Sequence, residues 1–154
     1  MKIQKGEIMD LDQQGSRLRP SRVTYYMDIA HAVSQRATCL RRKFGAIIVQ
    51  NDTIVSTGYN GAARGATDCL EKGKCLRQEL NVPAGEKYEL CVSIHAEMNA
   101  IISASPGQMK NAIMCISGQN MDDGSIAESY PCIMCRRMIV NAGISCVMVN
   151  TPIS

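Results

Sequence analysis

The sequence predicts an α/β domain in three layers, with helices on both faces of a mixed sheet of four to five strands. Three observations carry that prediction. Apolar residues recur at three- and four-residue intervals from Val23 to Ala37, the period of an amphipathic helix. Phe44 to Val49 and Ala112 to Ser117 are continuous apolar runs of strand length. Helix-like and strand-like segments then alternate to the end of the chain, an order that sets helices on both sides of a sheet. With 154 residues the chain is expected to form one domain with a sizeable core.

Taken in order, Met1 to Pro20 is polar, mixed in charge and without periodicity, and reads as a loose, strand-free extension ahead of a domain at 21–154. Val23, Tyr26, Met27, Ala30, Val33 and Ala37 form the stripe of a first helix ending near Thr38. Phe44 to Val49, the turn Asn51-Asp52 and Thr53 to Thr57 read as an antiparallel strand pair. Gly58-Tyr59-Asn60-Gly61 breaks the pattern, and a Gly- and Cys-containing insertion follows at 62–91, with a helical turn around Leu76 to Leu80. A loop of that length inside a compact domain needs something to organise it, and a bound metal would do so. A second helix is expected over Ile94 to Ala104, and a third strand over Ala112 to Ser117. Gly118 to Tyr130 reads as a polar loop. Cys132 to Asn141 is a third helix stopped by Gly143, and Ser145 to Asn150 is a last strand ended by Pro152.

Composition narrows the function classes. Lys and Arg number 17 against 14 Asp and Glu, a slight excess that does not call for a nucleic-acid polymer as partner. Arg41-Arg42-Lys43 and Arg136-Arg137 are local basic patches, ordinarily solvated faces, though suited to drawing in a phosphorylated substrate. No apolar run approaches the ~20 residues that span a bilayer, and the N-terminus has no apolar stretch with a cleavage site, so a cytoplasmic protein is expected. Eight cysteines in such a chain point to metal and buried thiols in a reducing compartment. Cys115 and Cys146 lie in apolar runs and read as core residues. Cys39, Cys69, Cys75 and Cys91 lie at turns or segment ends, where a zinc could gather them.

The chemistry is concentrated in His95-Ala96-Glu97 and Pro131-Cys132-Ile133-Met134-Cys135. One imidazole and two thiolates supply three protein ligands, which leave tetrahedral zinc a fourth position for water. Zinc lowers the pKa of that water to about 7, making hydroxide available, and a carboxylate two residues from the imidazole can carry the proton. At about 100° per residue, His95 and Glu97 diverge inside a helix, so they converge only if the metal sits over its N-terminus. Pro131 suits a first helical turn, and Cys132 and Cys135, three apart, share one face of it. Two helix N-termini would then aim their positive ends at the anionic ligands. A lone Cys-x-x-Cys has other readings, a redox pair or half of a structural zinc clamp.

These two motifs together have the H-x-E…P-C-x-x-C pattern of zinc nucleobase deaminases. From Ser21 to Val149 the chain resembles the cytidine and deoxycytidylate deaminase family. Ala37-Thr38-Cys39, Gly45 to Val49, Gly58-Tyr59-Asn60-Gly61, His95 to Ile101 and Pro131 to Ile144 look like the deoxycytidylate branch. The resemblance implies a cytidine-deaminase-like fold and hydrolytic deamination of dCMP to dUMP and ammonia. It implies that His95, Cys132 and Cys135 hold the catalytic zinc. Glu97 would take a proton from zinc-bound water and deliver it to N3 of the cytosine, while hydroxide attacks C4; it would then help protonate the departing amine. Asn60 matches a substrate-contacting asparagine expected near the sugar, and the Ala96 backbone N–H is placed to meet the base carbonyl. Tyr130 either lines the pocket or packs beside Pro131. Asn99 either faces substrate or serves the helix as a hydrogen-bond partner. Arg64 is the candidate phosphate contact. Some relatives hold a second, structural zinc near the equivalents of Cys39 and Cys69, so a closed site of Cys39, Cys69, Cys75 and Cys91 is expected. The resemblance further implies a homo-oligomer, dCTP activation and dTTP inhibition, with Mg²⁺ accompanying the regulatory nucleotide.

Three departures stand out. Ala63 occupies a position where the family often has Pro, Gly118 to Tyr130 is longer than the usual link, and the chain stops soon after the fourth expected strand. An absent fifth strand would leave an edge needing cover, for instance from another subunit. Alternatives within the same chemistry are another cytosine nucleoside, nucleotide or modified base as substrate. A noncatalytic zinc-stabilised module is the alternative of another class, and Glu97 argues against it, because a structural site has no need of a carboxylate beside an open position.

Overall fold

Alternation within the apolar runs decides the layering. In β2 (Arg42–Gln50), Ala46 and Ile48 face one side and Ile47 and Val49 the other. In β6 (Ile113–Asn120), Met114 and Ile116 are opposed to Cys115, and in β7 (Cys146–Val149), Val147 and Val149 are opposed to Met148. Strands apolar on both faces need cover on both faces. The structure, a computed structural model that describes residues 2–5 and 19–152, supplies that cover. With β1 (Lys2–Lys5) and β3 (Thr53–Tyr59), these strands form one five-stranded sheet in the order β1-β7-β6-β2-β3. The β1–β7 and β7–β6 pairs are parallel, and the β6–β2 and β2–β3 pairs antiparallel, so the sheet is mixed as expected.

One face is covered by α1 (Arg22–Ser34), which begins where the Ser21 hydroxyl accepts the Thr24 N–H at 3.1 Å. Tyr26, Met27 and Ala30 pack on Ile47, Val49 and Cys115. The helix lies directly on Gly45, where an added Cβ would stand 2.1 Å from the Ala30 carbonyl oxygen. The β2–β3 turn has both central residues, Asn51 and Asp52, at positive φ, the conformation of a two-residue hairpin loop. The Tyr26 hydroxyl donates to the Asp52 carboxylate and ties α1 to that turn.

The opposite face is covered by α4 (Ala96–Ile102) and α6 (Ile133–Asn141), whose Ala96, Ala100, Cys135 and Ile139 pack with Ala46, Ile48, Met114 and Val147. Here Gly58 sets the approach: a Cβ would meet the Ala100 nitrogen at 2.3 Å and the Ala96 oxygen at 2.4 Å. The Ser56 hydroxyl adds a hydrogen bond to the Ala100 carbonyl at 2.5 Å. Gly143, at φ 82, follows the last turn of α6 in the position expected of it.

Several expectations are corrected. Lys2–Lys5 is not strand-free: it pairs with Cys146–Val149 and covers the edge of the last strand with this chain's own N-terminal segment. The rest of that segment, 6–18, lies outside the described residues. Four residues are too few to show a period, and their partner lies at the far end of the chain. Gly118 to Asn120, expected as loop, prolong β6 opposite Phe44, Lys43 and Arg42. The insertion is broken into α2 (Cys69–Lys72), α3 (Leu76–Glu79) and a 3₁₀ turn at Tyr88–Leu90, flanked by the short antiparallel pair β4 (Gly61–Ala62) and β5 (Ser93–Ile94). A further short helix, α5 (Pro106–Met109), carries a Ser105–Gln108 capping box.

Replacing Gly58 with Ala forces α4 away from β3 and is expected to lower stability by about 1–3 kcal/mol, the usual range for overpacking. Gly107→Ala, where nothing lies within 4 Å of the new Cβ, is the control. Thermal melts of the two variants check this; equal melting temperatures would contradict the packing account.

Candidate active site

Two helix starts build the site. His95 is the N-cap of α4 and Cys132 the N-cap of α6, both with extended backbone. At a cap the side chain leaves the helix spiral, so His95 is freed from the 100° step that would turn it away from Glu97. Pro131, expected in the first turn, stands just outside it before the cap, where it is buried and its carbonyl accepts from Arg136 Nε at 2.8 Å. The Cys132 sulfur accepts the Cys135 N–H at 3.5 Å, which folds the Cys-x-x-Cys segment around one point.

The His95 Nδ1 lies 3.5 Å from the Cys132 sulfur and 3.4 Å from the Cys135 sulfur, and the three ligand atoms lie within 4.8 Å of one another. Tetrahedral zinc with bonds of about 2.3 Å to sulfur and 2.0–2.1 Å to nitrogen has N···S edges of about 3.5 Å, so the trio fits the ion. Burial lowers the His95 pKa, with the nearby Arg77 charge second, and favours the neutral ring that a metal requires. Burial likewise pushes the Cys135 thiol well above its ordinary range, with Glu97 the next cause, so the free thiol is held protonated. A zinc cation reverses that balance and takes the thiolate.

Glu97, in the first turn of α4, is only 7% exposed. Burial raises its pKa, opposed by its own backbone N–H and a hydrogen bond with the Cys135 side chain. The carboxyl therefore stands against the metal trio in a dry setting that favours its protonated form. Ala96, fully buried between His95 and Glu97, lines the same cavity, and its N–H is among the first-turn amides without a partner inside the helix.

The remaining candidates divide. Asn60 lines the cavity, but its side chain accepts from the Phe44 N–H at 2.7 Å and donates to the Arg42 carbonyl at 3.0 Å, which pins the β3 exit to β2. One Nδ2 hydrogen and one Oδ1 lone pair remain for other partners. Tyr130, 36% exposed, lines the mouth. Asn99 donates to the Tyr59 carbonyl at 2.8 Å and is not among the lining residues; it serves the α4–β3 contact. Arg64 is exposed and also stands outside the lining.

The insertion reaches the site at several points. Burial, and after it the charges of Cys39, Cys75 and Cys91, push the Cys69 thiol up, so Cys69 lies within electrostatic reach of the other three. Cys39 and Cys91 also border the cavity. Among the described residues, only the His95 trio brings three such ligand atoms within 4.8 Å of one another. The Tyr88 ring meets His95 edge-on, with centroids 4.8 Å apart, and the Arg77 guanidinium lies 5.0 Å over the Tyr88 ring. Neither Arg77 nor Tyr88 was marked by the sequence; their nearness to Cys75 and Cys91 in a metal-poised loop was the available signal. Arg41 also lines the cavity, and the basic run 41–43 pointed to it only as a patch.

Comparison with known proteins agrees with this arrangement. Residues 20–151 match the family model described as the cytidine and deoxycytidylate deaminase zinc-binding region. A deoxycytidylate deaminase of Schizosaccharomyces pombe is 32% identical over 97% of this chain, and one of Mycobacterium phage D29 is 32% identical over 84% of it. The match takes in 42% of the fission-yeast protein, 38% of its Saccharomyces cerevisiae counterpart and 94% of the phage protein, so this chain spans about two fifths of the length of the fungal relatives. The crystal structure of dCMP deaminase from the cyanophage S-TIM5 in complex with dCMP and dUMP superposes with a TM-score of 0.58 at 26% identity, over 87% of this chain and 85% of that one. With its zinc-ligand trio at the caps of two helices on a mixed five-stranded sheet, this chain belongs to the cytidine and deoxycytidylate deaminase zinc-binding family.

Proposed function

We propose that this chain catalyses the hydrolysis of dCMP to dUMP and ammonia. The observation that carries the reading is the His95–Cys132–Cys135 trio at zinc spacing with the buried Glu97 carboxyl against it. The relatives named deoxycytidylate deaminase, and the cyanophage enzyme crystallised with dCMP and dUMP, support the substrate.

His95, Cys132 and Cys135 would hold the zinc, which would supply Lewis acidity and water of lowered pKa. Glu97 accepts one proton of the attacking water and passes it to N3 of the cytosine; it then takes the remaining proton from the new C4 hydroxyl and gives it to the amine, which departs as ammonia and leaves the C4 carbonyl. Its raised pKa suits both directions of transfer. The Ala96 N–H meets the base carbonyl. Asn60 holds the sugar side of the cavity with the capacity its β2 contacts leave, and Tyr130 closes the mouth.

The same reading extends to a second zinc held by Cys39, Cys69, Cys75 and Cys91. It is supported by the thiols grouped about Cys69, and such an ion would draw together an insertion whose Leu70, Leu76 and Leu80 are exposed rather than buried as a core. Assembly into a homo-oligomer, activation by dCTP with Mg²⁺, and inhibition by dTTP are proposed on the family resemblance alone. No helix among the described residues is long and apolar enough to cross a membrane. A cytoplasmic location is proposed because zinc-bound and buried thiols, rather than disulfides, are what a reducing compartment maintains.

Glu97→Ala is expected to retain the zinc at the His95 trio while ammonia release from dCMP falls by about 10²–10⁴-fold. Metal analysis and turnover on the same sample check this, and near-normal turnover would sink the role of Glu97. Fully active wild-type protein is expected to hold two zinc ions per chain and Cys69→Ser one, by elemental analysis. One zinc in fully active wild type would rule out the four-cysteine site.

A further inference from the structure

Among the described residues, both polar contacts of the His95 ring use Nδ1, which faces the Cys132 and Cys135 sulfurs. The ring makes no capping bond to its own helix, and Nε2 has no hydrogen-bond partner among those residues. A metal-ligating imidazole is ordinarily held in orientation by a carboxylate or carbonyl bonded to its second nitrogen. Here the insertion supplies an aromatic ring instead. Tyr88 meets the imidazole edge-on, with centroids 4.8 Å apart and planes at 73°, and the Arg77 guanidinium lies 5.0 Å over Tyr88. The insertion's own backbone fixes both members of this stack. The Tyr88 carbonyl accepts the Cys91 N–H at 2.9 Å, the Arg77 carbonyl accepts the Val82 N–H at 2.8 Å, and Arg77 Nη2 donates to the Pro83 carbonyl at 3.1 Å. The ion pairs among the described residues are Arg22–Asp52 and Lys74–Glu79, so a ring face and a carbonyl, not a carboxylate, hold this buried guanidinium. Its Nε is buried without a partner, so the group gives up solvation to stand where it does.

Aromatic ring pairs prefer a defined edge-to-face geometry and resist rotation out of it. A cation over an aromatic face adds an attraction that grows when both are kept from water. Rotation of the imidazole about its side-chain bonds would carry Nδ1 away from both sulfurs, so whatever limits that rotation sets how well the trio is preorganised for an ion. We propose, resting on the reading of the His95 trio as a zinc site, that Tyr88 is a positioning residue for His95, backed by Arg77, so that the Cys-rich insertion governs how tightly the ion at His95 is held. The ring acts through the imidazole, and the guanidinium acts through the ring. This gives the insertion a part in the site that does not depend on any metal of its own.

The test reads zinc at one site. The chain has two histidines, His31 and His95, and His31 is exposed on α1, so imidazole nitrogen-15 NMR follows the metal-bound state of His95 independently of any ion in the insertion. Zinc is titrated against a competing chelator in wild type, Tyr88→Leu, Tyr88→Phe and Arg77→Met, with no nucleotide present, which separates the effect from any contact with substrate. Tyr88→Leu is expected to weaken zinc at His95 by about 10-fold, the lower end of what partners of metal-ligating side chains contribute, and Tyr88→Phe, which keeps the ring, to stay within about twofold of wild type. Arg77→Met keeps an apolar stem over the ring without the charge, and is expected to weaken zinc there by about 3-fold. Wild-type zinc affinity at His95 in Tyr88→Leu would overturn the proposal. An equal loss in Tyr88→Leu and Tyr88→Phe would overturn it too, by placing the effect in the hydroxyl. Should Tyr88→Leu not fold, Arg77→Met decides, with wild-type affinity at His95 as the overturning result. A His95 ring that stays metal-free in zinc-treated wild type would overturn the zinc reading itself, and the proposal with it.

Discussion

The contact between the α4 backbone and Gly58 of β3 is the constraint from which the site follows. With no side chain at Gly58, Ala96 and Ala100 come down onto the strand, and Ser56 fastens the same turn through the Ala100 carbonyl. That depth puts Glu97 in the interior at the first turn and leaves His95 just outside it as the cap. Ala96, Ala100, Cys135 and Ile139 share one apolar cluster, so the start of α6 arrives at the same height with Cys132 as its own cap. A trio of candidate metal ligands drawn from distant parts of the sequence is thereby fixed by backbone-to-backbone packing. Such packing holds donor atoms more closely than loops do.

Burial at this point works in two directions. It raises the pKa of Glu97 and of the Cys135 thiol and lowers that of His95, each through loss of solvation for the charged form. Burial thus holds His95, Glu97 and Cys135 toward their neutral forms. A zinc ion held by His95, Cys132 and Cys135 would supply the charge that makes the thiolates favourable.

What the sequence made legible was local. His95, Glu97, Cys132 and Cys135 stand within short motifs, and the ligand spacing survives any reasonable folding of the segments around them. The β2–β3 hairpin was readable because one turn and two apolar runs define it. The strand Lys2–Lys5 was not, because its order comes from parallel pairing with the last strand and not from its own pattern. Arg77 and Tyr88 carried only the faint signal of their nearness to Cys75 and Cys91, because they meet the site only once the insertion folds back on His95. Asn60 and Asn99 were marked for substrate from the sequence, Asn99 with hydrogen bonding for its helix as the alternative. Both carry side chains suited to substrate, yet both bond to neighbouring strand backbone, and only Asn60 also borders the cavity.

The most direct measurement is ammonia release from zinc-loaded protein given dCMP, deoxycytidine, CMP and cytidine in separate reactions. The account requires turnover of dCMP well above that of the other three. No ammonia from any of the four, with zinc confirmed at the His95 trio, would contradict it.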